Sequence, residues 1–239
     1  MIVEPTATLR EVWEAHADEW TEWARRPGHD SYWRFHRDAF LALVPAPGRL
    51  TLDVGCGEGR VARDLAALGH RVLVLDPTAT LPRRAAEAGG GLLGVLRADG
   101  AHLPLADAAA VLVVAFMTLQ GTDDMPGAVR EFGRVLRPGG RLCIAVEHPI
   151  NSAGAFTSRE PDAEFAMSGD YFEPRRAEAA VVRDGLTMTF DGWHWPLEDY
   201  FRALEGAGLR TDALTEPRAG NGGRWDRVPL FLDLRAVRP

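Results

Sequence analysis

The chain contains no lysine; all 27 of its basic residues are arginine. A phosphate-cradling nucleotide loop needs a lysine before a Ser or Thr, so ATP by that route is excluded, as is any chemistry through a lysine Schiff base. Cysteine is almost as scarce. Cys56 and Cys143 read as small buried residues, no Cys/His grouping has zinc spacing, and no metal is expected. Long apolar runs are missing too: none approaches the ~20 residues that cross a bilayer, and no basic-then-apolar leader opens the chain. A soluble, cytoplasmic protein with no membrane partner is the expectation. The net charge is −7 and arginines cluster only as pairs such as Arg25/Arg26, Arg83/Arg84 and Arg175/Arg176. Without a basic stripe, nucleic acid is not an expected partner.

Glycine, by contrast, is concentrated in one telling place. Thr51–Arg60 reads TLDVGCGEGR: an apolar run (Leu50, Leu52, Val54) enters a turn holding Gly55, Gly57 and Gly59, and Val61 to Leu68 then continues with helical apolar spacing. The pattern predicts a strand, a tight turn and a helix start. Such a junction lets backbone pass close to a ligand while helix N–H groups point into the crevice at the strand's carboxyl end. A dinucleotide fingerprint wants glycine where Arg60 stands, so NAD is disfavoured. Asp53 before the turn and Glu58 within it suit a ligand bearing an ammonium group better than a pyrophosphate, and S-adenosylmethionine fits. About twenty residues past the turn, the buried-strand run RVLVLD ends in Asp76, at the spacing where a carboxylate can accept both ribose hydroxyls.

On these residues, Leu52–Gly57 (LDVGCG) resembles motif I of class I S-adenosylmethionine-dependent methyltransferases. The resemblance continues in order through Asp76, through Val95–Asp99 and Gly100, through the apolar run Ala109–Phe116, and through Leu136–Arg141 (LRPGGR), matching a turn before a fifth strand at Leu142–Val146. It implies an α/β, Rossmann-like seven-stranded sheet, mostly parallel with an antiparallel C-terminal hairpin and helices on both faces. It further implies S-adenosyl-L-methionine as cofactor, bounded by Asp53, Gly55, Cys56, Gly57, Asp76 and Pro77, with Asp99 accepting from the adenine amine and Gly100 donating to its edge. Phe116, Met117 and Gln120 are then placed near the methyl group.

The rest of the chain reads as cover for this core. Residues 1–48 form an aromatic helical cap, 49–148 the cofactor core, 149–185 a polar, weakly periodic insertion over the pocket, and 186–239 the completion of the core with a helix over 196–207. Trp13 and Trp20 stand at helical spacing and read as hydrophobic core. Pro27 and Gly28 break the helix, Asp30 or Ser31 caps the next, and Tyr32 and Trp33 fall on its first turn, where aromatic faces could attract a sulfonium. His148, at a carboxyl strand end, and His194, flanked by Trp193 and Trp195, are candidate general bases. The segment around His194 resembles an H-R-P-L-x-x-Y pattern in small-molecule members of the family, especially actinobacterial ones. Trp195 replaces the usual arginine, which implies an apolar or aromatic substrate. The expected activity is methyl transfer to the C, N or O of a small aromatic specialised metabolite, indole- or phenol-like, by a monomer or homodimer. The rival readings are a cofactor-binding partner protein without transferase activity and a peptide or protein methyltransferase.

Overall fold

The computed structural model describes residues 7–239. The chain opens with helices α1 (Leu9–Ala15) and α2 (Ala17–Arg25), a π-helical turn over Tyr32–His36, and α3 (Arg37–Leu41). Thr8 caps α1 through a reciprocal box with Glu11, which satisfies helix N–H groups that would otherwise lack partners. The core then alternates β1 (Thr51–Val54), α4 (Arg60–Ala67), β2 (Val72–Asp76), α5 (Thr80–Ala88), β3 (Gly94–Arg97), β4 (Ala110–Phe116), α6 (Met125–Val135) and β5 (Leu136–Glu147). Beyond it come α7 (Pro149–Ser152), the short pair β6 (Gly154–Phe156) and β7 (Phe165–Met167), the long hairpin β8 (Arg175–Arg183) and β9 (Leu186–His194), then α8 (Leu197–Gly206), β10 (Arg210–Thr215) and β11 (Phe231–Val237).

Seven strands form one sheet in the order β10-β11-β5-β4-β1-β2-β3. β1 to β5 run parallel, and β10 and β11 close the edge antiparallel. Strand periodicity sorts the two faces. Leu52, Val54, Val113 and Ala115 pack with Met125, Phe132 and Tyr200 on the α6/α8 side. Val72, Val74, Leu112, Val114 and Phe116 pack with Tyr32, Phe40, Ala62 and Leu65 on the other. Both faces are covered, which is why these strands read as continuous apolar runs rather than alternating ones. Cys56 and Cys143 are both free and buried. No described helix is long and apolar enough to cross a membrane.

Leu136–Arg141 turns before the long parallel run of the fifth strand: Leu136 pairs with Ala110 and Arg141 with Leu112, so the residues between them loop out of register, with Gly139 at φ +75°. One expectation changes here. The insertion, read as polar and weakly periodic over 149–185, folds into two hairpins, and the boundary at 185 falls in the tip of the longer one. Asp184 and Gly185 take φ values of +49° and +78° between the paired residues Arg183 and Leu186. Asp-Gly in a two-residue loop matches the right-handed twist of the flanking strands.

Candidate functional site

The glycine turn is held by backbone. The Gly55 and Cys56 amides donate to the Leu75 carbonyl at 2.8 and 3.1 Å, tying the turn to the end of β2. Gly55, Gly57 and Gly59 have φ of +69°, +55° and +88°, values open to glycine at little cost. A Cβ on Gly55 would overlap the Thr118 side chain, and one on Gly57 would stand 3.0 Å from Trp20 Nε1. Asp76, at the carboxyl end of β2, accepts from the Gly57 amide at 3.0 Å with one oxygen and from the Thr78 amide and hydroxyl, at 3.0 and 2.6 Å, with the other. Burial nevertheless raises its pKa. Asp53 lies beneath the turn. Burial and the nearby Asp76 push it up to about 7, against a hydrogen bond from the Ala62 amide, and its Oδ2 has no partner.

Further along the same edge, the Pro77 carbonyl accepts from Arg97 Nε at 3.1 Å. Asp99 is exposed and uses one carboxylate oxygen on the Ala101 amide at 2.9 Å, while Gly100 is buried against Val54 and Ala128. Turn glycines and two acids therefore line up along the carboxyl ends of β1, β2 and β3. That donor set fits an adenosyl group: carboxylates for hydroxyls and an amine, and backbone that approaches closely. Glu58 does not serve as expected, because its buried carboxylate is neutralised by Arg25 at 2.7 Å and Arg63 at 2.8 Å.

The cap closes over this edge. Trp13 and Trp20, expected in the hydrophobic core, are half-buried and meet edge-on at 6.0 Å. Trp20 faces Gly57, and Trp13 Nε1 lies 3.4 Å from a Cβ position on Gly121. Arg60, where a dinucleotide site would need glycine, is nearly buried and sits over the rings of Trp20, Tyr32 and Phe116 at 4.9, 4.7 and 5.8 Å. Asp30 supplies its counter-charge at 2.8 Å and also caps the Tyr32 amide. Tyr32 itself is fully buried, its hydroxyl donating to Asp64 at 2.6 Å. Trp33 turns outward, 41% exposed, with its indole N–H on the Ala24 carbonyl.

At the end of β4, Met117 has φ +56°, a left-handed conformation that costs a non-glycine residue about 1 kcal/mol or more and clusters at functional sites. Its amide still reaches Ala145 of β5 at 2.7 Å. The inserted hairpin presses on this edge at Gly192, where a Cβ would stand 2.8 Å from the Gln120 carbonyl. Trp193 and Trp195 face each other at 5.6 Å. Their indole nitrogens and Gln120 Oε1 are buried without a hydrogen-bond partner among the described residues.

Both histidines named from the sequence are engaged at both ring nitrogens. His148 caps α7, its Nδ1 accepting from the Ile150 amide at 3.1 Å, with Nε2 3.0 Å from Glu216. Nε2 of His194 donates to the Tyr171 carbonyl at 2.8 Å, which leaves Nδ1 to accept from the Ser152 hydroxyl at 2.7 Å. Burial lowers both pKa values, opposed at His148 by Glu216. The two imidazoles thus fasten the inserted segment. Glu147, the last residue of β5, stands next to His148. Burial pushes its carboxyl up to about 7, against a hydrogen bond from Asn151. A second pair had no local signal at all: His36 Nε2 meets Asp233 at 2.7 Å across 197 positions, the imidazole stacked on Phe231 at 4.2 Å and 4.8 Å from Phe116. Among the described residues, no group of three His, Cys, Asp or Glu is placed to hold a metal ion.

The methyltransferase-domain family model matches residues 52–144. Over 222 residues the chain is 32% identical to a protein of Mycolicibacterium smegmatis described as a probable S-adenosylmethionine-dependent methyltransferase, a match covering 87% of this chain and 80% of that one. An O-methyltransferase of Pyrenophora dematioidea is 32% identical over 167 residues, 60% of this chain and 62% of that relative, so the chain spans less than two thirds of its length. The crystal structure of an S-adenosylmethionine-dependent methyltransferase from Mesorhizobium loti shares the fold, with a TM-score of 0.70 at 22% identity, over 87% of this chain and 98% of that one.

Proposed function

Because this chain belongs to the class I S-adenosylmethionine-dependent methyltransferases, we propose that it methylates a small aromatic molecule held at the carboxyl edge of β4 among Trp13, Trp20, Trp193 and Trp195. The observation that carries this reading is the set of orphaned polar atoms there. Two indole donors and the Gln120 acceptor are buried without partners, each at a cost of about 1–3 kcal/mol if left so. An aromatic ring bearing a polar substituent satisfies them while stacking on the indole faces.

S-adenosylmethionine, when bound, supplies a methyl group made electrophilic by its sulfonium. Asp76 and Asp99 would hold the adenosyl part, with Gly55 and Gly57 giving it room. The chain's remaining task is to orient the acceptor and exclude water, and positioning alone accounts for much of the rate in such displacements. For a hydroxyl or ammonium acceptor, Glu147 takes the proton; a carboxyl poised near pH 7 is suited to that role, and both imidazoles are committed elsewhere.

The test is a titration with S-adenosylhomocysteine, followed by transfer of a labelled methyl group to a panel of indoles and phenols. Binding and a labelled small-molecule product are expected. Label found only in added peptides, or tight binding with no product across extracts of small metabolites, would overturn the reading.

A further inference from the structure

A cleft of about 400 Å³ opens where the π-helical turn, the inserted segment and the loop before β11 meet. Its walls carry Arg34, Arg159, Arg183 and Arg224, with Phe35 and Trp225, and among the described residues no acidic one lines it. In a chain of net charge −7, four guanidinium groups around one cleft need an explanation, because like charges without a counter-ion repel.

Three neighbouring carboxylates are engaged elsewhere, while Glu160 and Asp162, on either side of Pro161 in the wall, are exposed. Asp226, in the same loop, accepts from the Gly220 and Gly222 amides at 2.5 and 2.6 Å. Asp30 is held by Arg60 at 2.8 Å, and Asp184 lies 3.4 Å from His29. Two of the four arginines bond to carbonyls of the protein: Arg183 donates to His29, and Arg224 to Ser158 at 2.7 Å. Arg183 is half-buried, and its pKa is lowered by that burial and by the charge of Arg34, against the charges of Asp30 and Asp184.

Packed rings stand between the cleft and the end of β4. Phe35 packs on Phe231 at 5.9 Å, Phe231 stacks on His36 at 4.2 Å, and His36 stands 4.8 Å from Phe116, the last residue of β4. The Leu230 carbonyl, in the cleft wall, accepts from the His148 amide just beyond β5.

We infer that this cleft binds the oxyanion, a carboxylate or a phosphate, of an aromatic small molecule, at a place separate from the methyl-transfer edge. Planar guanidinium groups match both anions with paired N–H donors, and Phe35 and Trp225 flank the adjoining carbon skeleton.

The experiment uses the full chain saturated with S-adenosylhomocysteine and titrates phenyl phosphate, benzoate and neutral phenol by calorimetry. At least one anion binds about tenfold or more tightly than phenol, as charge-assisted hydrogen bonds require, and the preference shrinks with added salt. Which anion binds better identifies the group. The Arg183→Gln/Arg224→Gln variant loses the preference. So does Arg34→Gln/Arg159→Gln, whose two arginines are exposed, so this second variant guards against misfolding in the first. Affinity for S-adenosylhomocysteine is unchanged in both. Equal binding of anions and phenol, no anion binding, or wild-type anion affinity in both variants overturns the inference. Arginine-dependent anion binding in a wild-type chain that does not bind S-adenosylhomocysteine would support the anion site and sink the methyl-transfer reading alone.

Discussion

At the glycine turn, consecutive backbone amides make the contacts: Gly55 and Cys56 reach the Leu75 carbonyl, and Gly57 reaches the Asp76 carboxylate. In the inserted segment, from α7 to the end of β9, side chains hold the structure across long stretches of chain. His194 ties Ser152 to Tyr171, and Arg183 and Asp184 reach back to the cap at His29. The first region depends on conformations only glycine adopts easily, so its sequence is constrained position by position. The second depends on pairs whose members carry no mark of each other.

The most severe way to break this contrast is Gly55→Val. A branched side chain at positive φ, overlapping Thr118, is expected to cost about 4 kcal/mol or more in stability and to abolish detectable cofactor binding. Gly89→Val is the control: its φ is +68° but nothing lies within 4 Å of the added Cβ. If thermal denaturation and calorimetry find the two variants alike, strain rather than the crevice explains the effect.

In the insertion, His194→Ala removes both ring hydrogen bonds and leaves Ser152 and Tyr171 short of a partner. A loss of about 3 kcal/mol is expected in chemical denaturation, with affinity for S-adenosylhomocysteine preserved. Unchanged stability with lost turnover would return His194 to the role of base.

The pH dependence separates the regions next. Glu147, at the root of the insertion, has a folded pKa of about 7 against an ordinary 4.5. Its stabilising contribution is therefore full below pH 4.5 and is lost as pH rises through 7, by up to about 3 kcal/mol. Asp53, under the glycine turn and also raised to about 7, adds a slope of the same sign. Glu147→Gln and Asp53→Asn should each flatten part of the decline when unfolding free energy is measured between pH 4.5 and 8. A slope that neither changes would show that the carboxyls are solvated.

The mildest test is Asp76→Ala, expected to weaken S-adenosylhomocysteine by about 2 kcal/mol, near thirtyfold, as for hydrogen bonds to a charged group. Full affinity in the folded variant would remove Asp76 from the site.

The parallel core was legible because each element declares itself locally. Glycines stand where φ is positive, apolar runs stand where both faces are covered, and Asp76 ends its strand at the crevice. The Asp184-Gly185 hairpin carries a strong short-range signal in that dipeptide between β-rich runs, but the polar stretch around it obscured it. Trp13 and Trp20 show what periodicity leaves open: it places both on one side of a helix without saying whether that side meets core or crevice. His36 with Asp233, and the four arginines of the cleft, come together only through tertiary folding, and no spacing rule marks them.

Trp20 has one more consequence, because its indole stands over Gly57. Anything that settles on the turn alters the polarity around that ring, so one of the chain's seven tryptophans acts as a built-in optical probe of the crevice. Intrinsic emission should shift on adding S-adenosylhomocysteine, and Trp20→Phe should silence that shift while the other six indoles continue to emit.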